Sequence, residues 1–310
     1  MIQTSYTLSI RQKALELGFS DIGFTKVSHL SEEEEHLKQW LDAGFNAGMK
    51  YMENHFEKRV DPAKLVPGAK TVISVLLNYY PAETQKHNDA PVISKYAYGR
   101  DYHYTVKEKL KKLFDFIKEN IYPGLEGRYF TDSAPVLDRA WAVRAGLGWI
   151  GKNSNLINKK WGSFVFIGEL IVNIELEEER QEVKNACGTC TRCIDACPTG
   201  ALVKPYTVDA NKCISYLTIE HKGEIPEQFK GKFDNRVFGC DICQDVCPWN
   251  RKLTPSSEPD FKLSERFIDL TAQQFYDMDE QEFNEIFSHS PLKRTKYEGF
   301  RRNLLFLDKS

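Results

Sequence analysis

All eight cysteines of this 310-residue chain lie between positions 187 and 247. Residues 187 to 200 read CGTCTRCIDACPTG, and a broken echo follows at 240 to 248, CDICQDVCP. A disulfide framework would spread along a small fold. Thiols packed into one part of a long chain point instead to metal chemistry. Cys187, Cys190, Cys193 and Cys197-Pro198 match C-x2-C-x2-C-x3-C-P, the run of bacterial two-cluster ferredoxins, whose fourth cysteine serves the other cluster. Two residues between thiols let a tight loop aim successive sulfurs at one cubane, and the same loop can offer backbone N–H groups to them.

The echo keeps Cys240, Cys243 and Cys247-Pro248, but Val237 stands where its first cysteine belongs, and Cys213 is the one thiol left to replace it. The pattern therefore assigns one [4Fe-4S] cluster to Cys187, Cys190, Cys193 and Cys247, and a second to Cys197, Cys213, Cys240 and Cys243. The alternative is two zinc sites of four cysteines each; zinc ligands usually come as C-x2-C pairs across a long gap. Two clusters in one module make a wire, and about 180 residues precede it, enough for a domain that receives the electrons.

The chain is long enough for two or three domains with a core. Its 41% hydrophobic and 28% charged residues fit an ordinary soluble protein. A net charge of -2 means that any nucleic-acid contact needs a local basic patch. The start, MIQTSYTLSIRQK, lacks a basic segment followed by an apolar run, so a leaderless cytoplasmic chain is expected. The longest apolar run, TVISVLLNYY at 71 to 80, is too short for a bilayer and suits a central strand. No membrane partner is expected.

Residues 1–178 read as an α/β domain, 179–252 as a ferredoxin-like module entered through the charged linker EEERQEVKN, and 253–310 as a short helical tail. Within the first, DIGFTKV predicts a strand, and Ser31 with Glu34 predicts a capping box opening a helix. YTVKEKLKKLFDFIKENI predicts an amphipathic helix, GRYFTD a strand ending at Asp132, and VLDRAWAVRAGL a short helix. Two strands joined at 159–162 should follow. An acid at a strand end with Arg139, Arg144, Lys152 and Asn153 nearby suggests a proton-delivery site. An N-capping Asp with surface arginines is the plainer alternative. Asp138 is the second acid of the stretch, expected to pair with an arginine.

TDSAPVLDRAWAVRAGLGWIGKNSNLI, CGTCTRCIDACPTGAL, CISYLT and GCDICQDVCPWN, in that order, resemble the epoxyqueuosine reductases, as do KRVDPAKLVPGAKTVISV and YGRDYHYTVKEKL. The resemblance runs to about residue 305. It implies an α+β protein: an N-terminal α/β cobalamin-binding domain like that of reductive dehalogenases, a ferredoxin-like module with two [4Fe-4S] clusters, and a short helical C-terminal tail. It implies cob(II)alamin in the cleft between domain and module, near Arg59, Ser94, Asp132, Leu156, Ile167, Ser215, Asp241 and Ile242, with Asp132 as proton donor. It further implies a monomer that acts on the anticodon stem-loop of tRNA and takes electrons from an external low-potential donor.

The cobalamin motif D-x-H-x-x-G is not met, since Val106 stands at its glycine position, so His103 is read as a cleft or helix-start residue. Longer members of the family carry helical repeats after the module. The basic stretch Lys293, Arg294, Lys296, Arg301, Arg302, with Tyr297 and Phe300 between, could hold tRNA or be a solvated helix face. A small-molecule corrinoid reductase of the dehalogenase kind and a non-catalytic ferredoxin-type carrier are the competing functions.

Overall fold

The computed structural model describes residues 2–177 and 183–308. The expected boundary at 178–179 and most of the charged linker lie outside the described residues. The strands, in chain order, are β1 Asp21–Lys26, β2 Thr71–Asn78, β3 Val92–Ile93, β4 Gly127–Phe130, β5 Trp149–Ile150, β6 Leu156–Ile157, β7 Val165–Val172, β8 Leu202–Lys204, β9 Thr207–Val208 and β10 Arg236–Phe238.

The main sheet runs β1-β2-β7-β4, and every pairing in it is antiparallel. This corrects the α/β expectation. The rule that ligands gather at the carboxyl ends of parallel strands has no purchase here, and Asp132 lies in the loop beyond an edge strand. The apolar run of β2 is central as expected, and all of its residues are buried. Its side chains alternate between two covered faces, which is why an antiparallel strand reads as continuously apolar. Ile73, Val75 and Leu77 join Phe166, Leu170 and Val172 of β7 against the helices Ile2–Glu16 and Tyr102–Asn120. Val72 and Leu76, with Ile171, face the short helix Asp138–Arg144. That helix lies close because Gly23 on β1 has no side chain: a Cβ there would come 2.0 Å from the Ala145 carbonyl oxygen.

The capping box at Ser31 does not form. The helix begins at Ser31 itself, Leu30 is its cap, and the Ser31 hydroxyl lies 3.2 Å from His29 Nδ1. The residues expected as a tail are core-forming. Phe267, Phe275, Phe283, Phe287, Phe300 and Leu304 are buried in one cluster with Ile93, Tyr98, Leu217 and Phe238. Strand β3 pairs in parallel with β10 in the same region, so a segment near residue 92 and the cysteine-bearing segment share a small sheet. Among the described residues no helix is long and apolar enough to cross a membrane.

Candidate active site and cluster module

Burial and neighbouring thiols act on both sets of cysteines, and Cys193 of the first set also bears on Cys243 of the second. Burial raises Cys193 and Cys247, and the charges of Cys187 and Cys247 add to it at Cys193, those of Cys187 and Cys190 at Cys247. Burial likewise raises Cys213, with Cys197 adding; it pushes Cys240 up to about 12, with Cys213 adding, and Cys243 well up, with Cys240 and Cys213 adding. Thiols raised in this way stay protonated at neutral pH unless a metal centre takes their sulfurs.

Backbone N–H groups already point at the sulfurs, from Ile194 to Cys193, Ser215 and Tyr216 to Cys213, Ile242 to Cys240, and Trp249 and Asn250 to Cys247. This donor set suits an anionic cubane.

Three residues read as donors to Asp132 do something else. Lys152 Nζ donates to the carbonyls of Gly188 at 2.7 Å and Cys190 at 3.0 Å, gripping the first cysteine loop. Asn153 Nδ2 donates to the Cys243 carbonyl at 3.3 Å, and Arg144 reaches Ser28 and Glu33, each at 3.1 Å. The same turn brings Asn155 Nδ2 to 3.9 Å from the Cys243 sulfur. The turn after β5 is thus a clamp on both cysteine runs, and only Arg139 bears on Asp132. The Arg139 guanidinium donates to the Ser154 carbonyl. Arg139 is exposed, yet surrounding protein holds it below its ordinary pKa, as for a side chain on the floor of a cleft.

Asp132 adopts a left-handed backbone, φ 56°, and 61% of its side chain is exposed. Tyr102 donates its phenolic hydrogen to Asp132 Oδ2, and its ring stacks on Phe166 with centroids 4.2 Å apart. His103 Nε2 makes no hydrogen bond and lies 3.5 Å from the same oxygen. Its Nδ1 is 2.9 Å from Asp101 Oδ1, and Asp101 caps the helix by accepting the His103 N–H at 3.1 Å. His103 is therefore the helix-start residue expected, committed to two aspartates. Tyr102, Asp101 and Arg294 were not read as site residues. The legible signal was DYHY at a helix start, where an N-capping Asp turns the next side chains toward one spot.

The cofactor positions named from the resemblance lie in several local settings. Arg59 is buried, donating to the carbonyls of Tyr51 and Asn54, and its charge bears on Asp138. The phenol of Tyr51, pushed up to about 12 by burial, feels Asp132, Arg59 and Tyr216. Tyr216 is next to Ser215 and accepts the Gly48 N–H at 2.8 Å. Leu156 and Ile167 share one apolar cluster. Ser94 donates to Asp241 Oδ1, and the Lys95 N–H donates to Oδ2 at 2.7 Å. Gly239, at φ +70°, permits that contact: a Cβ there would stand 2.5 Å from the Ser94 Cβ. Tyr96, its phenol pushed up by burial, feels both Asp132 and Asp241. Half-buried Ile167 and Ile242 beside this polar rim fit a flat apolar macrocycle edged with amides. Asp138 faces Glu169, with the charges of Arg139 and Arg59 also bearing on it.

The basic stretch is largely spent inside the molecule. Arg294 donates to Asp101, Arg301 to the Tyr276 carbonyl, and Arg302 to those of Leu217 and Gly223 at 3.0 Å each. Phe300 is buried and the Tyr297 hydroxyl donates to the Met278 carbonyl, so neither ring is free to stack on a base. Lys293, Lys296 and, despite its bond to Asp101, Arg294 remain exposed.

Comparison with known proteins gives a consistent result. Residues 59–133 match the family model of epoxyqueuosine reductase QueG, DUF1730, and residues 186–250 match that of the 4Fe-4S double cluster binding domain. The epoxyqueuosine reductase of Cellulophaga algicola is 54% identical over 96% of this chain and 96% of its own length. A solved epoxyqueuosine reductase holding a tRNA-Tyr epoxyqueuosine-modified stem loop superposes with a TM-score of 0.90 at 31% identity, over 98% of this chain and 81% of that one. The Bacillus subtilis enzyme, solved with the loop of its catalytic aspartate swung out of the active site, gives 0.89 at 31% identity over the same shares. With its double cluster module and its cleft around an exposed aspartate, this chain belongs to the epoxyqueuosine reductase family of oxidoreductases.

Proposed function

We propose that this chain reduces epoxyqueuosine to queuosine at the wobble position of tRNA, with Asp132 as the proton donor. The observation that carries the reading is the exposed Asp132 carboxyl, held by the Tyr102 hydroxyl with His103 Nε2 3.5 Å away. Residues 1–178 would hold cobalamin and substrate, 179–252 two [4Fe-4S] clusters, and 253–310 would complete the second core. The relative bound to a modified stem loop supports tRNA as the partner, and the swung-out aspartate loop of the Bacillus subtilis enzyme supports the role of Asp132.

The net reaction takes an epoxide, two electrons and two protons to an alkene and water. Cobalamin, bound by Arg59, Ser94, Leu156, Ile167, Ser215, Asp241 and Ile242, would supply a metal centre able to give electrons to the epoxide carbon, fed through the clusters by an external low-potential donor. Asp132 would place a proton on the oxygen as the C–O bond opens and charge grows there. Tyr102 would fix the carboxyl's direction, and His103, held beside Asp101, would keep its ring against the same oxygen.

The test is mass spectrometry of nucleosides from epoxyqueuosine-bearing tRNA, incubated anaerobically with the reconstituted protein and a low-potential reductant. Queuosine formed only when cobalamin is added is the expected result. No conversion by protein carrying both clusters and cobalamin would overturn the proposal.

A further inference from the structure

The face of the sheet beneath the cleft carries a carboxyl where an apolar side chain would be expected. Glu169 on β7 stands directly opposite Ser74 on β2 and Phe130 on β4, so all three point to the face that the helix Asp138–Arg144 covers. Glu169 and Ser74 are wholly buried, and neither Glu169 oxygen nor the Ser74 hydroxyl has a hydrogen-bond donor or acceptor of the ordinary kind. Asp138, first residue of the covering helix, brings a buried Oδ1, equally without a donor, to the same place. The two carboxyls are near enough for each to act on the other as a hydrogen-bond partner. Two ionised carboxylates have no hydrogen to share, so such a bond requires one proton between them. Burial, then the charge of the partner, raises Glu169 well above the usual carboxylate range, and burial with the charge of Asp132 raises Asp138. The other charged groups bearing on the pair are Asp132, Arg139 and Arg59. The backbone N–H of Asp132 lies near enough to Asp138 to lower its carboxyl somewhat against these effects.

We propose that Asp138 and Glu169 share a single proton at neutral pH and that this protonated pair latches the Asp132 loop in its working position. Both are positioning residues. The proposal rests on the reading of Asp132 as proton donor. With the proton present, the pair carries one negative charge, and an Asp138 oxygen is free to hold the Asp132 N–H in its left-handed turn, an uncommon backbone for a residue other than glycine. Without it, two charges occupy one buried spot. Their repulsion drives Asp138 off the Asp132 N–H, and the loop is released. The working position of the proton donor therefore depends on a second proton that it does not itself transfer.

Three measurements on the reconstituted protein test this. Infrared spectroscopy should show a protonated-carboxyl C=O band at neutral pH that fades on alkaline titration and is absent in Glu169→Gln. Amide exchange of residues 131–134, read by mass spectrometry, should speed up relative to Glu169→Gln as the band fades. Single-turnover conversion should fall over the same alkaline range in the wild type. Glu169→Gln, whose amide donates permanently, should stay within a few-fold of wild type at neutral pH and lose that fall, whereas Glu169→Leu should be slowed roughly tenfold or more at every pH. If Glu169→Gln does not fold, Asp138→Asn supplies the same permanent donor. Absence of the band from the wild type, or an unchanged alkaline fall in the amide variants, overturns the proposal. The infrared and exchange results decide it even if no queuosine forms, an outcome that would count against the proposed function instead.

Discussion

Arg294 Nη2 donates to Asp101 Oδ2 at 2.7 Å, joining residues 193 positions apart in the chain. Through that bond a segment that looked like a surface basic patch becomes the support of the helix start carrying Tyr102 and His103. Burial alone would raise Asp101, but hydrogen bonds from His103 and Arg294 outweigh it and hold the carboxyl at about 2. Its pKa is thus depressed below the unfolded value near 4. The stabilisation is complete above about pH 5 and is lost as the pH falls toward 2, on the order of 2 kcal/mol in all. Asp101→Asn should flatten the dependence of the urea midpoint on pH in that window, and an undiminished slope in the variant would refute the assignment.

Asp132→Asn keeps the shape of the loop and an oxygen to accept the Tyr102 hydrogen, but cannot give up a proton as an acid does. Conversion should drop by roughly a hundredfold or more, the scale of a lost general acid. Iron content and the cobalamin spectrum should match the wild type. Turnover at the parental rate would remove Asp132 from the chemistry.

Cys213 stands outside both cysteine runs and is the ligand inferred with least help from a motif. Cys213→Ala should lose about four of eight irons and leave the electron paramagnetic resonance signal of the other cluster in place. Cys190→Ala should give the complementary signal. Full iron content after loss of Cys213 would mean that the second cluster is held another way.

Charge on the last described helix divides into two kinds. Arg302 is anchored to the carbonyls of Leu217 and Gly223, and Asn303 donates to those of Thr218 at 2.8 Å and Val237 at 2.9 Å. Asn303→Ala would leave two buried carbonyls unpaired, at a cost of about 1–3 kcal/mol each. Thermal unfolding should move by several degrees. Lys293→Ala with Lys296→Ala should hardly move it, but should shallow the salt dependence of tRNA binding if these exposed lysines touch phosphates. An unchanged salt slope would place the tRNA elsewhere.

The double cluster module was legible because ligand spacing is local: a tight loop can present its thiols in only a few ways. Strand and helix placement was legible for the same reason in β2 and in the helix Tyr102–Asn120, where periodicity and length agree. Strand direction was not, since a fully buried strand looks alike in parallel and antiparallel sheets, and only the partner decides. The four donors near Asp132 were assigned by sequence proximity, and the fold sent Lys152 and Asn153 the other way, toward the cysteine loops. Glu169 lay hidden in VFIGELIV, where one acid in an apolar run reads as a solvent-facing position. What placed it inside is a helix that covers this face and that no pattern within the strand announces.

The burial of Phe300, Leu304 and Leu307 among residues 90–98 and 214–238 has a consequence for biogenesis. A ribosome that has finished both cysteine runs has still to deliver the helix that closes the core around Cys213 and Cys240. Contacts spanning some two hundred residues form late, because the loop they close is long. Iron loading of that cluster should therefore await emergence of residues 296–308 from the ribosome, and fragments ending before residue 300 should emerge as thiol-rich, oxygen-sensitive clients of the folding machinery.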